Sequence, residues 1–141
     1  MLNCNKLDTL NITFYPFQQA SNHGRGKVLI SQTHSDTYDT LDFSDVPYLE
    51  SVVIENGTEL VIFAVNRSQV DSMDLMFNPE GYNVERIIEH RVLSGAKIKD
   101  INDKDNMRVE PHVKNSVKID GNTIKIELDS LSWNMIRIKI K

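Results

Sequence analysis

Asn56-Gly57 sits between two runs rich in β-branched and aromatic residues: Tyr48 to Glu55 (Tyr-Leu-Glu-Ser-Val-Val-Ile-Glu) and Leu60 to Asn66 (Leu-Val-Ile-Phe-Ala-Val-Asn). Asn-Gly enters positive φ at little cost, so the stretch predicts an antiparallel hairpin. The second run is apolar at almost every position. That fits a strand covered on both faces or deep in a sandwich better than a half-exposed one.

Downstream, the chain reads as further strands added to this pair. Met73, Leu75 and Phe77 alternate with polar neighbours, Asn78 to Gly81 form a turn, and Tyr82, Val84, Arg86 and Ile88 open the next strand. The charged stretch Lys97 to Val109 is expected to be a long surface loop. Val117 to Ile119, turn Asp120-Gly121 and Thr123 to Leu128 predict a second hairpin, with Ile124, Ile126 and Leu128 facing in and Lys125 and Glu127 facing out. The last strand runs from Trp133 to Lys141 and reads as half-buried, Ile136, Ile138 and Ile140 alternating with Arg137, Lys139 and Lys141.

The upstream part differs. Asp8 to Asn22 places Leu10, Phe14, Phe17, Ala20 and Ser21 at helical spacing, with Ile12 and Tyr15 on a neighbouring face, and Pro16 is expected to kink the helix or end its first half. Gly24 and Gly26 then supply a left-handed stop, and Lys27 to Gln32 a short strand. Such a helix is heavily apolar for one that opens a small domain, as if it had lost a packing partner. Short strands with turns between them, after one helix, predict a mainly β antiparallel sandwich or barrel.

Function classes narrow by elimination. With 141 residues the chain is one domain's worth and large enough for a real core. The 20 acidic residues outnumber 16 Lys plus Arg and the signs are interspersed, which argues against a nucleic-acid binder. Cys4 is the single cysteine, so no internal disulfide or cysteine-based metal cluster is expected. No apolar run reaches membrane-span length and no signal peptide opens the chain, so a cytoplasmic location is favoured. His23, His34, His90 and His112 are scattered without zinc-ligand spacing, and Glu89 and His90 fall on opposite faces of a strand. Ser21, Ser35 and Ser94 lack a nucleophile elbow. Asp36, Asp39, Asp42 and Asp45 lack the glycine and terminal glutamate of an EF-hand and are read as turn residues. Asn11, Asn56 and Asn66 carry glycosylation patterns read as chance, and Trp133, Tyr38, Tyr48 and Phe43 are read as packing residues in preference to a sugar-stacking platform.

Eight segments occur in a fixed order: Phe14-Tyr15-Pro16-Phe17, Ala20-Ser21, Gly24-Arg25-Gly26, Tyr38-Asp39-Thr40, Asp42 through Glu50, Phe63 through Arg67, Ile88-Glu89-His90 and Leu131 through Arg137. Together they resemble the C-terminal part of family 51 glycoside hydrolases, the α-L-arabinofuranosidases, from about Ile12 to Lys141. The resemblance implies a jelly-roll-like β-sandwich behind a (β/α)8 barrel. Residues 1–26 would be the last barrel helix and linker, and residues 27–141 the C-terminal domain. It implies an intact enzyme, commonly oligomeric, that hydrolyses terminal α-L-arabinofuranosyl residues with retention, using two barrel glutamates. Neither glutamate motif is matched here, so no catalytic, cofactor-binding or metal residue is assigned and no cofactor is expected. The expected partner is the catalytic barrel, with no nucleic acid and no membrane. The alternative expectation is a stand-alone carbohydrate-binding module using Trp133 and the tyrosines.

Overall fold

The computed structural model describes residues 12–95 and 109–141. One helix, α1 (Phe14–His23), precedes eleven strands: β1 (Lys27–Leu29), β2 (Thr37–Tyr38), β3 (Val46–Pro47), β4 (Leu49–Glu55), β5 (Glu59–Asn66), β6 (Met73–Phe77), β7 (Val84–Leu93), β8 (His112–Val113), β9 (Val117–Asp120), β10 (Thr123–Leu128) and β11 (Ser132–Ile140). They form a six-stranded sheet in the order β1-β4-β5-β11-β7-β8, a three-stranded sheet β6-β10-β9, and a small β2-β3 pair. All pairings are antiparallel.

The two larger sheets face each other across one apolar core. Leu60, Ile62, Ala64, Ile136 and Ile138 from the large sheet meet Leu75, Ile124, Ile126 and Leu128 from the small one. Strand periodicity makes the inward positions alternate, and these residues are the apolar ones at every second place. β5 and β11 lie at the centre of the large sheet, paired along their length from Ser132↔Asn66 to Lys139↔Glu59. Their outward residues are covered too: Val61, Phe63 and Met135 are buried on the far face. The continuous apolar run of β5 thus has its physical reason.

Both expected hairpins form. Between β4 and β5, Asn56 Oδ1 accepts the Glu59 amide at 3.0 Å and Gly57 takes φ +90°. Between β9 and β10 the turn carries Gly121 at φ +59°. The upstream expectations need three corrections. Pro16 is the third residue of α1 and neither kinks nor ends it, because first-turn amides have no partner within the helix to lose. Gly24 has φ −86° and closes the helix through its amide on the Ala20 carbonyl at 2.8 Å, so no left-handed stop is used there. The strand over Lys27 to Gln32 shortens to β1, and β2 and β3 appear around the aspartates read as turn residues. Gly26 is needed for approach: a Cβ on it would stand 2.3 Å from the Glu55 carbonyl oxygen. The expected loop from Lys97 to Val109 lies outside the described residues except for Val109, which is buried against Tyr15 and Leu93. Asp8 to Asn11 lie outside them as well.

Candidate functional site

The outward face of the large sheet carries the features the core does not explain. Helix α1 crosses it and buries Tyr15 and Gln19 there. Tyr15 packs with Ile12, Leu93, Val109 and Trp133. The Trp133 indole N–H donates to Gln19 Oε1 at 2.8 Å, joining two residues far apart in the chain. The helix therefore docks by the neighbouring Ile12–Tyr15 face. Its main apolar face turns away: Phe14 is 40% and Phe17 77% exposed.

A row of charges runs across the same face. Arg137 donates from Nε and Nη2 to Glu59 at 3.1 and 3.0 Å, and from Nη1 to Glu89 at 2.9 Å. Glu89 also accepts from Arg91 Nε at 2.9 Å. Burial pushes the Glu59 and Glu89 carboxyls up, but hydrogen bonds from Arg137, joined by Asn56 at Glu59 and by Arg91 at Glu89, outweigh it and hold both below the ordinary carboxylate range. Depressed carboxylates stabilise the fold above their unfolded pKa, and that stability is lost as pH falls through their folded values. Arg137→Met removes the partner that holds both carboxylates down. It is expected to cost about 2 kcal/mol at neutral pH, since the buried Glu59 carboxylate loses its cation while Glu89 keeps Arg91. The cost should shrink in urea titrations run progressively below pH 4.5, the ordinary glutamate value, as protonation relieves the Glu59 carboxylate.

Beside this row lies an apolar groove of about 320 Å³, lined by Val52, Phe63, Val65 and Trp133. Its floor is the Phe63–Trp133 stack, centroids 5.5 Å apart and planes 28° from parallel. An Arg67–Glu50 ion pair flanks it, and Arg67 Nη1 also donates to the Pro47 carbonyl at 2.9 Å.

The residues singled out in the sequence separate accordingly. Tyr38 pairs with Tyr48 at 4.8 Å, tilted by 35°, while Trp133 pairs with Phe63 and Phe43 stays exposed. Asp39 accepts the Asp45 amide at 2.9 Å, which is turn chemistry. Glu89 points outward and His90 inward. His90 is 1% exposed, its Nε2 bonded to Asn134 Oδ1 at 2.9 Å, and burial pushes its pKa down. Ser35 and Ser94 bond to Asp36 and Asp129, and Ser21 is exposed on α1. Asn66 is 2% exposed and its side chain is fully engaged in the fold, so it is no glycosylation acceptor in the native state. Cys4 and Asn11 lie outside the described residues.

Sequence reasoning missed the Glu59–Arg137–Glu89–Arg91 row, because Arg137 in an alternating strand reads as solvated. The signal available was the buried character of neighbouring β5, which places cover over both faces. The carboxylates of this row are bound to guanidinium groups and ill-suited to proton transfer. The face offers apolar area edged by fixed charges, the chemistry of a contact surface.

The sequence model of the alpha-L-arabinofuranosidase C-terminal domain matches residues 3–132. An intracellular exo-α-(1→5)-L-arabinofuranosidase of Halalkalibacterium halodurans is 39% identical over 127 residues, covering 89% of this chain and 25% of that protein. A Bacillus subtilis protein of the same description is 38% identical over 128 residues, again 89% of this chain and 25% of that one. Among solved structures, a family 51 α-L-arabinofuranosidase from Bifidobacterium longum superposes with a TM-score of 0.82 at 24% identity, covering 92% of this chain and 26% of the other. The chain thus spans about a quarter of the length of the relatives it matches.

Proposed function

The chain belongs to the α-L-arabinofuranosidase C-terminal domain family, and from that premise we propose that it serves as the non-catalytic sandwich of a larger arabinofuranosidase, docking a catalytic barrel. The observation that carries this reading is helix α1, which holds the sheet by Tyr15 and Gln19 while presenting Phe14 and Phe17 to the outside. Exposed apolar area of this kind marks an interaction site. In this reading residues 1–26 are the tail of the last barrel helix with its linker, and residues 27–141 are the domain proper. The catalytic glutamates belong to the barrel. The assembled enzyme removes terminal α-L-arabinofuranosyl groups from arabinan-type chains inside the cell and works as a homo-oligomer. The names of the relatives, intracellular arabinofuranosidases, support this. No described helix is long and apolar enough to cross a membrane.

The reading is tested by mixing the chain with the separately produced upstream three quarters of the Halalkalibacterium relative. Co-elution on size exclusion is expected, and independent elution of two folded components would oppose it. The alternative of a module stacking sugars on Trp133 and the tyrosines has less support. Trp133 is already committed to Phe63 and Gln19, and the Tyr38 and Tyr48 rings are not coplanar.

A further inference from the structure

Between α1, β7 and the segment at Glu110 lies a pocket of about 490 Å³, separate from the aromatic groove. Its wall contains two side chains more than nine-tenths buried, Tyr15 at 8% and Gln19 at 7% exposure. Trp133 fixes Gln19 Oε1, which turns the amide nitrogen the other way. Among the described residues, neither that nitrogen nor the Tyr15 hydroxyl makes a hydrogen bond. Neither is sealed off, because among the described residues no fully buried side-chain polar atom lacks a partner. Both residues line the pocket, and each keeps a donor that the described part of the fold does not use. Burial, then the Glu110 charge, pushes the Tyr15 pKa up, which keeps that hydroxyl a donor.

The rim supplies the complement. Arg91 uses Nε on Glu89, with no bond from its Nη groups among the described residues, and Glu110 adds an exposed carboxylate. Gln18 and Asn22 add amides from the exposed side of α1. Glu89 lines the pocket too and is paired with Arg91, so with Glu110 the lining disfavours a net anion, whereas a hydroxyl both donates and accepts and so satisfies donors and acceptors in any order. The volume lies within the range of small-molecule sites, roughly 300–1,000 Å³. We propose that this pocket binds a neutral polyhydroxyl molecule of mono- or disaccharide size, held by Tyr15, Gln19, Arg91 and Glu110.

The test is an NMR titration of the full chain with L-arabinose, D-xylose and sucrose, using inorganic phosphate as the charged control. The Gln19 side-chain amide and the Trp133 indole N–H are the reporters. Saturable shifts of both with at least one sugar are expected, weakened about tenfold in Glu110→Gln and in Asn22→Ala, with unchanged melting temperatures. Silence with every sugar would overturn the proposal, as would parent-like affinity in both variants or a larger response to phosphate. If the reporters ignore the sugars but shift when the chain associates with the upstream part of a relative, the pocket is a socket for that part. The sugar assignment then fails while the docking function stands.

Discussion

Asn66→Ala is expected to destabilise the chain by about 4 kcal/mol, a large share of the roughly 5–15 kcal/mol that keeps a domain folded. The Asn66 amide donates to three carbonyls, those of Asp71, Leu128 and Asp129, at 2.9, 3.3 and 3.0 Å. Its oxygen accepts the Ser68 amide at 2.9 Å. These bonds tie the end of β5 to the following loop and to the β10–β11 connection. That connection contains Leu131 at φ +44°, an uncommon conformation for a non-glycine residue that the surroundings must enforce. Alanine takes away the donor that three carbonyls share, of which only that of Asp129 keeps a side-chain partner, the Ser132 hydroxyl at 2.7 Å, and it strips the Ser68 amide of its side-chain acceptor at a site 2% exposed. Asn66→Asp should be worse despite its identical shape, because a carboxylate oxygen then faces carbonyl oxygens where an NH2 donated. Urea melts would show alanine losing most of the stability and aspartate at least as much. Two near-neutral variants would contradict the account of this corner.

Phe14→Asp with Phe17→Asp should leave the isolated chain's melting temperature within a few degrees of the parent. Both residues already sit partly or largely in solvent and neither is a core residue, Phe14 making only an edge-on contact with Tyr15, ring centroids 5.8 Å apart. In a chimera carrying this chain behind the upstream part of the Halalkalibacterium relative, the same pair should lower the yield of active enzyme by more than about tenfold. Two charges placed in a desolvated contact cost several kcal/mol. Comparing melting temperature with activity separates the two effects. Equal losses in both would make Phe14 and Phe17 ordinary structural residues.

The elements with strong periodicity were legible in the sequence. Asn56-Gly57, Asp120-Gly121 and the alternating isoleucines of β10 and β11 each carry a local signal, turn chemistry or period two, that the tertiary structure keeps. The contact face was legible only in part. Phe14 and Phe17 stood out as apolar residues without an evident partner, yet the side of α1 that docks was the weaker one, marked by Tyr15 and a polar residue, Gln19. Its affinity for the sheet depends on a Trp133 hydrogen bond more than a hundred residues away, and no local pattern encodes such a partner. The same holds for Arg137 and Asn66. Their spacing resembles solvated strand residues, and only pairing across strands and loops reveals them as bridges.

The most direct test of the central claim is hydrolysis of an aryl α-L-arabinofuranoside, measured for the chain alone and for the chimera with the relative's upstream part. The chain alone should release no product above background, while the chimera should be active within about an order of magnitude of the intact relative. Turnover by the isolated chain would contradict the account, as would a folded chimera that stays inactive.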